Sequence, residues 1–232
     1  MNKSEGYLLC VFGNATYFRL CMRLIKNIRK YDTKRPIHIL TDNIEFFKDK
    51  DLTAQKFNYM NHSYPNINST TDWNRFGFIP KLHQFSYSPF QRTCYFDVDM
   101  IFHSDFTWIW SQLDNAGFPL LLPGVSDDTN MSPLDWHWST IKTVSIHVGH
   151  SLPQISSTAI LYTQAVTESL TTAISEIICN LQLVKALSIF RGGYPDEIVF
   201  SILLGKHEVR PSKVLFDWFS NKTVCDNCNK KI

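Results

Sequence analysis

The sequence predicts an α/β fold in which a mostly parallel sheet is flanked by helices. Apolar runs of strand length alternate with longer segments whose apolar residues recur at helical spacing, and this alternation is typical of strand–helix–strand units. The run at 91–102 contains two carboxylates, Asp97 and Asp99. Acids that follow a buried strand lie at the crevice where open α/β sheets bind ligands. The 232 residues fit one domain without a linker.

In the first half of the chain, strand and helix patterns follow one another closely. The first helix is predicted because Phe18, Cys21, Met22, Ile25 and Ile28 share one helical face. The expected elements are a strand at 7–12, a helix at 15–31, a strand at 36–40, a short strand at 57–60, a helix at 75–87 broken near Pro80, and the strand before Asp97.

The second half continues the pattern as far as the last helix. Asp105 stands where a helix N-cap belongs. The expected elements are a helix at 106–113, strands at 120–122 and 156–162, a long helix within 163–190, a helix at 195–204, and extended pieces at 208–210 and 214–216. We expect one domain over 1–232, with a core at about 6–218 and a flexible tail at 219–232.

The segment at 124–139 has a polar composition and no period. It is long for a loop without secondary structure, and such loops often serve a function. We therefore expect a mobile segment that covers the substrate.

Composition and charge exclude several classes of protein. An apolar fraction of 44% and an aromatic fraction of 14% support a core rather than disorder. The formal net charge is +2, and no basic block resembles a nucleic-acid-binding arm. No apolar run approaches the ~20 residues of a membrane helix, and the amino terminus lacks a signal-peptide core. We expect a cytoplasmic protein whose six cysteines are reduced.

Asp97 and Asp99 predict a site for a metal and a diphosphate. Two carboxylates so close together are costly to bury unless a cation compensates their charge. The cation that suits hard oxygen ligands is Mg²⁺ or Mn²⁺, which proteins usually share with a phosphate. The alternative is that the two carboxylates cap the turn that follows the strand.

Five segments, in chain order, resemble the motifs of one enzyme group. They are LCVFGNATY at 9–17, KLHQF at 81–85, YFDVDMI at 95–101, ISSTAILY at 155–162 and YPDE at 194–197. Together they resemble the GT-A-fold glycosyltransferases, most closely the family 8-type nucleotide-diphospho-sugar transferases. The resemblance covers roughly residues 6 to 204, and the Asp-X-Asp segment is its most specific part. Thr158 stands where that family has a glycine.

This resemblance implies a GT-A fold, a mixed and mostly parallel central sheet flanked by helices. It implies transfer of a sugar from a nucleotide-sugar donor, most readily a UDP-sugar, to a hydroxyl acceptor, with retention of configuration. The acceptor is open: a glycan, a small molecule, a protein or a hydroxylated nucleic-acid base. The cofactor is Mn²⁺ or Mg²⁺ on Asp97 and Asp99. His207 and Lys213 are the nearest candidates for the family's third metal ligand and phosphate-binding lysine.

The resemblance also places residues around the donor. Phe12 and Asn14 contact the nucleotide, and Tyr17 stacks on the uracil. Asp42 binds the base or the ribose, Lys81 pairs with the diphosphate, and Asp97 also contacts the ribose. Ordinary structural roles stay open beside these: a hydrophobic staple for Tyr17, an N-cap for Asp42 and an exposed helical position for Lys81.

Asp196 and Glu197 open the helix expected at 195–204. The resemblance makes them candidates for groups that orient the acceptor or act at the reaction centre. Carboxylates in the first turn of a helix are also stabilised by the helix dipole, whatever their function.

Two other functions remain open from the sequence. A haloacid-dehalogenase-type phosphatase also carries an Asp-X-Asp motif at a strand end. In those phosphatases the motif has Thr or Val at the position of Ile101 and normally lies near the amino terminus. In this chain Asp97 comes much later. The other possibility is a non-catalytic sugar- or nucleotide-binding module of the same fold.

Overall fold

A computed structural model describes residues 4–48, 52–58, 79–125, 144–180, 196–225 and 230–231. The strands are β1 (Glu5–Val11), β2 (Ile37–Thr41), β3 (Thr53–Lys56), β4 (Arg92–Phe96), β5 (Met100–Phe102), β6 (Leu120–Leu121), β7 (Gly124–Val125), β8 (Gln154–Ile155), β9 (Ala159–Thr163), β10 (Thr223–Cys225) and β11 (Lys230–Lys231). The helices are α1 (Ala15–Tyr31), α2 (Ile79–His83), α3 (Ile109–Asp114), α4 (144–148), α5 (Thr167–Cys179), α6 (Asp196–Lys206) and α7 (Lys213–Lys222). Short 3₁₀ helices lie at Ile44–Phe47, Gln84–Tyr87 and Gln164–Val166.

The central sheet is mixed and mostly parallel, as the sequence predicts. Within the described residues it has six strands in the order β3–β2–β1–β4–β9–β6. β1 pairs in parallel with β2 and β4, and β2 pairs in parallel with β3. β9 runs antiparallel to both β4 and β6. The predicted α/β class is confirmed.

Helices cover both faces of the sheet because β1 is apolar on both sides. Alternate residues of a strand point to opposite faces, and those of β1 enter two separate core clusters. Leu8 and Cys10 belong to the cluster that includes α5 and α6, whereas Leu9 and Val11 belong to the cluster that includes α1 and α3. A strand buried on both faces has the near-continuous apolar run seen here.

The short strand predicted at 57–60 lies earlier in the chain than expected. The structure places β3 at Thr53–Lys56, before the predicted position at 57–60, of which 59 and 60 lie outside the described residues. β3 is an edge strand with mostly exposed side chains, so it has no apolar run by which it could be found. Its pairing with β2 defines it instead.

Asp105 does not cap the helix predicted at 106–113. Its Oδ1 accepts hydrogen bonds from the backbone N–H and the hydroxyl of Thr107, both at 2.8 Å, and α3 begins only at Ile109. The carboxylate therefore closes a local turn before the helix, which is a common role of Asp.

The carboxyl-terminal prediction is also corrected. Residues 214–216 lie in helix α7, not in an extended piece, and 208–210 form no strand. Leu215 and Phe219 are buried four residues apart, as on one helix face. The predicted tail at 219–232 begins in this helix, and β10 pairs with β5.

Four other predicted segments differ in their bounds. The strand expected at 156–162 begins at Ala159, and the long helix within 163–190 spans Thr167–Cys179. The helix at 75–87 is divided into α2 and a 3₁₀ turn, and residues 75–78 lie outside the described residues. The segment at 124–139 begins in β7, and 126–139 likewise lie outside the described part. None of the described helices is both long and apolar enough to span a membrane.

A network of charged side chains ties together the amino ends of β1, β2 and β4. The hydroxyl of Tyr7 donates to Oδ2 of Asp32 at 2.7 Å, and Arg35 donates to the same oxygen at 2.8 Å. Arg35 and Arg92 both bind Glu5, at 2.7 and 2.6 Å. Burial alone would raise the pKa of Asp32, but the hydrogen bonds from Arg35 and Tyr7 outweigh it and lower the pKa to about 2.

We predict that Asp32→Asn destabilises the fold in a pH-dependent way. A carboxyl group whose pKa is lower in the folded state stabilises that state above its unfolded pKa. The stabilisation, on the order of 2 kcal/mol, is lost as the pH falls from 3.8 to about 2. Denaturant unfolding at a series of pH values should show a gap between variant and parent that closes over this range.

Asp114→Asn is the matched control because its ion pair with Arg92 is exposed, with 61% of the Asp114 side chain accessible. Exposed pairs contribute little, so this variant should unfold like the parent. A gap for Asp32→Asn that stayed constant with pH would contradict the role of its charge.

Candidate active site

The site forms where the parallel strands end. Asp97 directly follows β4, Phe12 directly follows β1, and Asp42 directly follows β2. Because these three strands are adjacent and parallel, their carboxyl ends lie at the same edge of the sheet. The structure therefore brings these three predicted residues to the crevice that open α/β sheets use for ligands.

Asp97 is held by its backbone at the start of the turn between β4 and β5. Its N–H donates to the carbonyl of Thr158 at 2.9 Å, and its carbonyl accepts from Met100 at 3.3 Å. Its side chain keeps 25% exposure. Asp99 lies within the same turn and is partly exposed, so the motif bends at the sheet edge instead of continuing the strand.

Lys81 is the cation that compensates Asp97. Its Nζ lies 2.8 Å from Oδ1 of Asp97 and 2.5 Å from Oδ2 of Asp196. It also donates to Oγ of Ser157 at 3.0 Å, and Ser157 donates to Asp196 at 2.7 Å. Lys81 and Asp196 are only 8% and 6% exposed. Four parts of the chain, namely α2, the end of β4, the turn before β9 and the start of α6, therefore meet at one ammonium group.

The electrostatics of this group follow from burial and close charges. Burial raises the pKa of Asp97 to about 6; Lys81 opposes this rise, and the charges of Asp99 and Asp196 add to it. Burial alone would lower the pKa of Lys81, but Asp196 and Asp97 hold it well above its usual value. Burial alone would raise the pKa of Asp196, but Lys81 and Ser157 hold it below its usual value.

Tyr95 and Ser157 belong to the site although the sequence analysis did not select them. The hydroxyl of Tyr95 donates to Oδ1 of Asp97 at 2.5 Å. Tyr95 lies two residues before Asp97 along the strand direction, so that period-two spacing was a usable signal for a shared face. For Ser157 the sequence holds no comparable signal, since its partners Lys81 and Asp196 are distant in the chain.

The residues predicted to bind the nucleoside surround the end of β1. Gly13 has a φ of +91°, in the region that favours glycine, and its N–H donates to Oδ2 of Asp42 at 3.1 Å. Oδ1 of Asp42 is buried and makes no hydrogen bond to the described residues. Asn14 is the N-cap of α1 and accepts from Thr16 at 2.9 Å.

Two aromatic residues predicted at the nucleotide behave differently. Phe12 is 5% exposed and packs edge-on against Phe57, with the ring centroids 6.0 Å apart, so its side chain belongs to the core. Tyr17 is 38% exposed. Its ring is therefore accessible to a ligand, which a buried hydrophobic staple would not be.

The structure does not bring His207 to Asp97 and Asp99. His207 lies just past the end of α6, whose first residue is Asp196. An 11-residue helix is about 16 Å long, and His207 stacks on Phe118 with the ring centroids 6.1 Å apart. Across the described residues, no three His, Cys, Asp or Glu side chains form a group that could hold a metal ion.

The remaining predicted residues lie on helices α6 and α7. Lys213 is exposed and forms an ion pair with Asp217 of the same helix at 2.7 Å. Glu197 lies beside Asp196 in the first turn of α6 and is partly exposed. Thus Asp196 joins the Lys81 group, and Glu197 lies next to it in the chain.

Comparison with known proteins identifies the fold. Neither a protein-family model nor a curated protein sequence matches the chain. Solved structures do: mouse xyloside xylosyltransferase 1 in its apo form matches with a TM-score of 0.56 and 13% identity, over 88% of this chain and 83% of that one. The chain has the GT-A fold.

Two further solved structures are similar at the same level. An active-site mutant of LgtC matches with a TM-score of 0.58 and 14% identity, over 85% of this chain and 69% of that one. LgtC is described as a galactosyltransferase in a complex with donor and acceptor sugar analogues. Apo GlyE from Streptococcus pneumoniae TIGR4 matches with a TM-score of 0.55 and 12% identity, over 92% of this chain and 46% of that one. These likenesses establish the fold.

We predict that Lys81→Met destabilises the protein strongly. The substitution leaves the buried carboxylate of Asp196 and the partly buried carboxylate of Asp97 without their shared cation, and breaking a buried pair typically costs roughly 3–5 kcal/mol. Denaturant unfolding at pH 7 measures the loss.

Lys206→Met is the matched control for this prediction. Lys206 pairs with Glu176 at 2.8 Å, but the two side chains are 47% and 60% exposed, so the expected loss is below about 1 kcal/mol. Equal losses in the two lysine variants would show that the buried group at Lys81 contributes no more than a surface pair.

Proposed function

We propose that the chain is a metal-dependent glycosyltransferase that moves a sugar from a UDP-sugar to a hydroxyl acceptor, with retention of configuration. One observation carries the proposal: at the carboxyl edge of a GT-A sheet Lys81 joins Asp97 and Asp196, and Asp99 lies close enough to Asp97 to influence its charge. The GT-A fold of the xylosyltransferase and galactosyltransferase structures supports this proposal over the phosphatase alternative. A grouping of carboxylates at this edge suits the binding of a cation together with a diphosphate.

The charge of the site fits a divalent cation. When ionised, the three carboxylates outnumber the ammonium of Lys81 by two negative charges. Their oxygens are hard ligands of the kind that Mg²⁺ and Mn²⁺ prefer. Asp97 and Asp99 would hold the ion, with the diphosphate and water in place of further protein ligands, as is usual for Mg²⁺. Bound there, the ion would neutralise the charge that grows on the leaving diphosphate.

Lys81 acts in this proposal through the carboxylates. It is 8% exposed and already contacts Asp97 and Asp196, so in this proposal it positions these two carboxylates. The sequence had instead predicted that Lys81 pairs directly with the diphosphate. Ser157 holds Asp196 from the other side. Asp196 and its neighbour Glu197 are then our candidates for the groups that face the transferred sugar and the acceptor.

The nucleoside would bind where β1 and β2 end. Oδ1 of Asp42 is a buried acceptor without a partner among the described residues, and a buried acceptor gains from a donor such as the N3–H of uracil or a ribose hydroxyl. Tyr17 supplies an accessible ring for stacking. Gly13 lets the backbone approach the nucleotide closely because it has no Cβ.

We predict that a UDP-sugar stabilises the parent protein only when Mn²⁺ or Mg²⁺ is present. A ligand that binds the folded state adds about 2.7 kcal/mol at a concentration of 100 times its Kd. Melting temperatures should be measured for a panel of nucleotide sugars with and without metal. If every donor leaves the melting temperature unchanged in the presence of either metal, the proposed function is refuted.

Asp99→Asn should abolish the metal-dependent shift and any transfer of sugar. The apo variant should be as stable as the parent or slightly more stable, because one source of charge repulsion with Asp97 is removed. Asp217→Asn, which loses an exposed pair on α7, should respond to donor and metal like the parent. An Asp99→Asn protein with the parent's metal-dependent shift would remove Asp99 from the site.

A further inference from the structure

Tyr95 connects the two oppositely charged groups of the site. It is 2% exposed, its hydroxyl donates to Oδ1 of Asp97, and the Nζ of Lys81 lies 5.5 Å from the centroid of its ring. This distance lies within the range of cation–π contacts. One side chain therefore contacts the cation through its ring and the carboxylate through its hydroxyl.

Both oxygens of the Asp97 carboxylate are held by hydrogen bonds from different partners. Oδ1 accepts from the hydroxyl of Tyr95 at 2.5 Å, and Oδ2 accepts from Lys81 at 3.0 Å. An ionised carboxylate offers about four lone-pair sites, two on each oxygen, so these two hydrogen bonds leave sites for a further ligand.

Lys81 alone would not fix the orientation of the Asp97 carboxylate. An ammonium is a compact charge with three rotatable donors on a flexible stem, and it contacts both oxygens of Asp97. The phenol hydroxyl of Tyr95 is fixed by a buried ring on β4 and reaches one of the two oxygens. It is therefore the contact that distinguishes Oδ1 from Oδ2.

We propose that Tyr95 is a positioning residue of the donor site, whose hydroxyl holds Oδ1 of Asp97 and so fixes the orientation in which this carboxylate binds a divalent cation together with the donor diphosphate. This inference rests on the proposed function. Hydrogen-bond partners that orient a metal ligand typically change metal affinity 10- to 100-fold, roughly, when they are removed.

Tyr95→Phe tests the role because it removes the hydroxyl and keeps the ring beside Lys81. Tyr162→Phe is the matched control, because Tyr162 is fully buried in the same core cluster and lies on β9 opposite Thr93 of β4. Mn²⁺ is titrated by calorimetry into parent and variants in the presence of saturating UDP. Melting temperatures with and without Mn²⁺ are measured in parallel, so that the response to metal is separated from any general loss of stability.

The expected result is a Kd for Mn²⁺ that rises about 10- to 100-fold in Tyr95→Phe and is unchanged in Tyr162→Phe. A purely structural role of Tyr95 would lower the melting temperature and leave the Mn²⁺ affinity of the folded protein at the parent's value. That outcome, or equal losses of affinity in both variants, overturns the inference while the proposed function stands. A parent protein that binds neither Mn²⁺ nor UDP overturns both.

Discussion

The contact of the buried Lys81 with the carboxylates of Asp97 and Asp196 is the interaction on which the candidate site depends. Isolated buried charges are strongly unfavourable, so Asp97 and Asp196 can lie in this crevice because one ammonium contacts both, at 2.8 and 2.5 Å. The contact also joins α2, the end of β4 and the start of α6. The fold and the arrangement of the catalytic candidates are therefore stabilised by the same group.

Charged groups at the two edges of the parallel sheet are paired differently. At the amino edge, Asp32 and Glu5 each receive several hydrogen bonds or ion pairs. At the carboxyl edge, Oδ1 of Asp42 is a buried acceptor with no partner among the described residues. Buried polar groups are normally satisfied, so the paired carboxylates of the amino edge stabilise the fold, whereas Oδ1 of Asp42 can accept from a ligand.

The sequence predicted those parts of the fold whose signal is local. Most of β1 and the second half of β4 are apolar runs, α1 has clear helical periodicity, and the position of Asp97 follows from its strand. The prediction failed where distant contacts decide: β3 is defined by pairing with β2. Likewise, the burial of Lys81 depends on Asp196, which lies far along the chain. An exposed helical lysine was the ordinary expectation, and no local pattern distinguishes it from a buried one.

The position of α6 explains why two carboxylates, without His207, would serve as the protein's metal ligands. The helix begins at the Lys81 group and carries His207 away from it by its whole length, about 16 Å. What remains beside Asp97 and Asp99 is Lys81, which neutralises part of the negative charge when no metal is bound. On the proposed function, a divalent cation would balance the two residual negative charges, and the diphosphate would then complete its coordination. Because the lysine is a buried charge that belongs to the protein, it would stabilise the carboxylates without a metal, and on the proposed function the residual negative charge would still attract a cation.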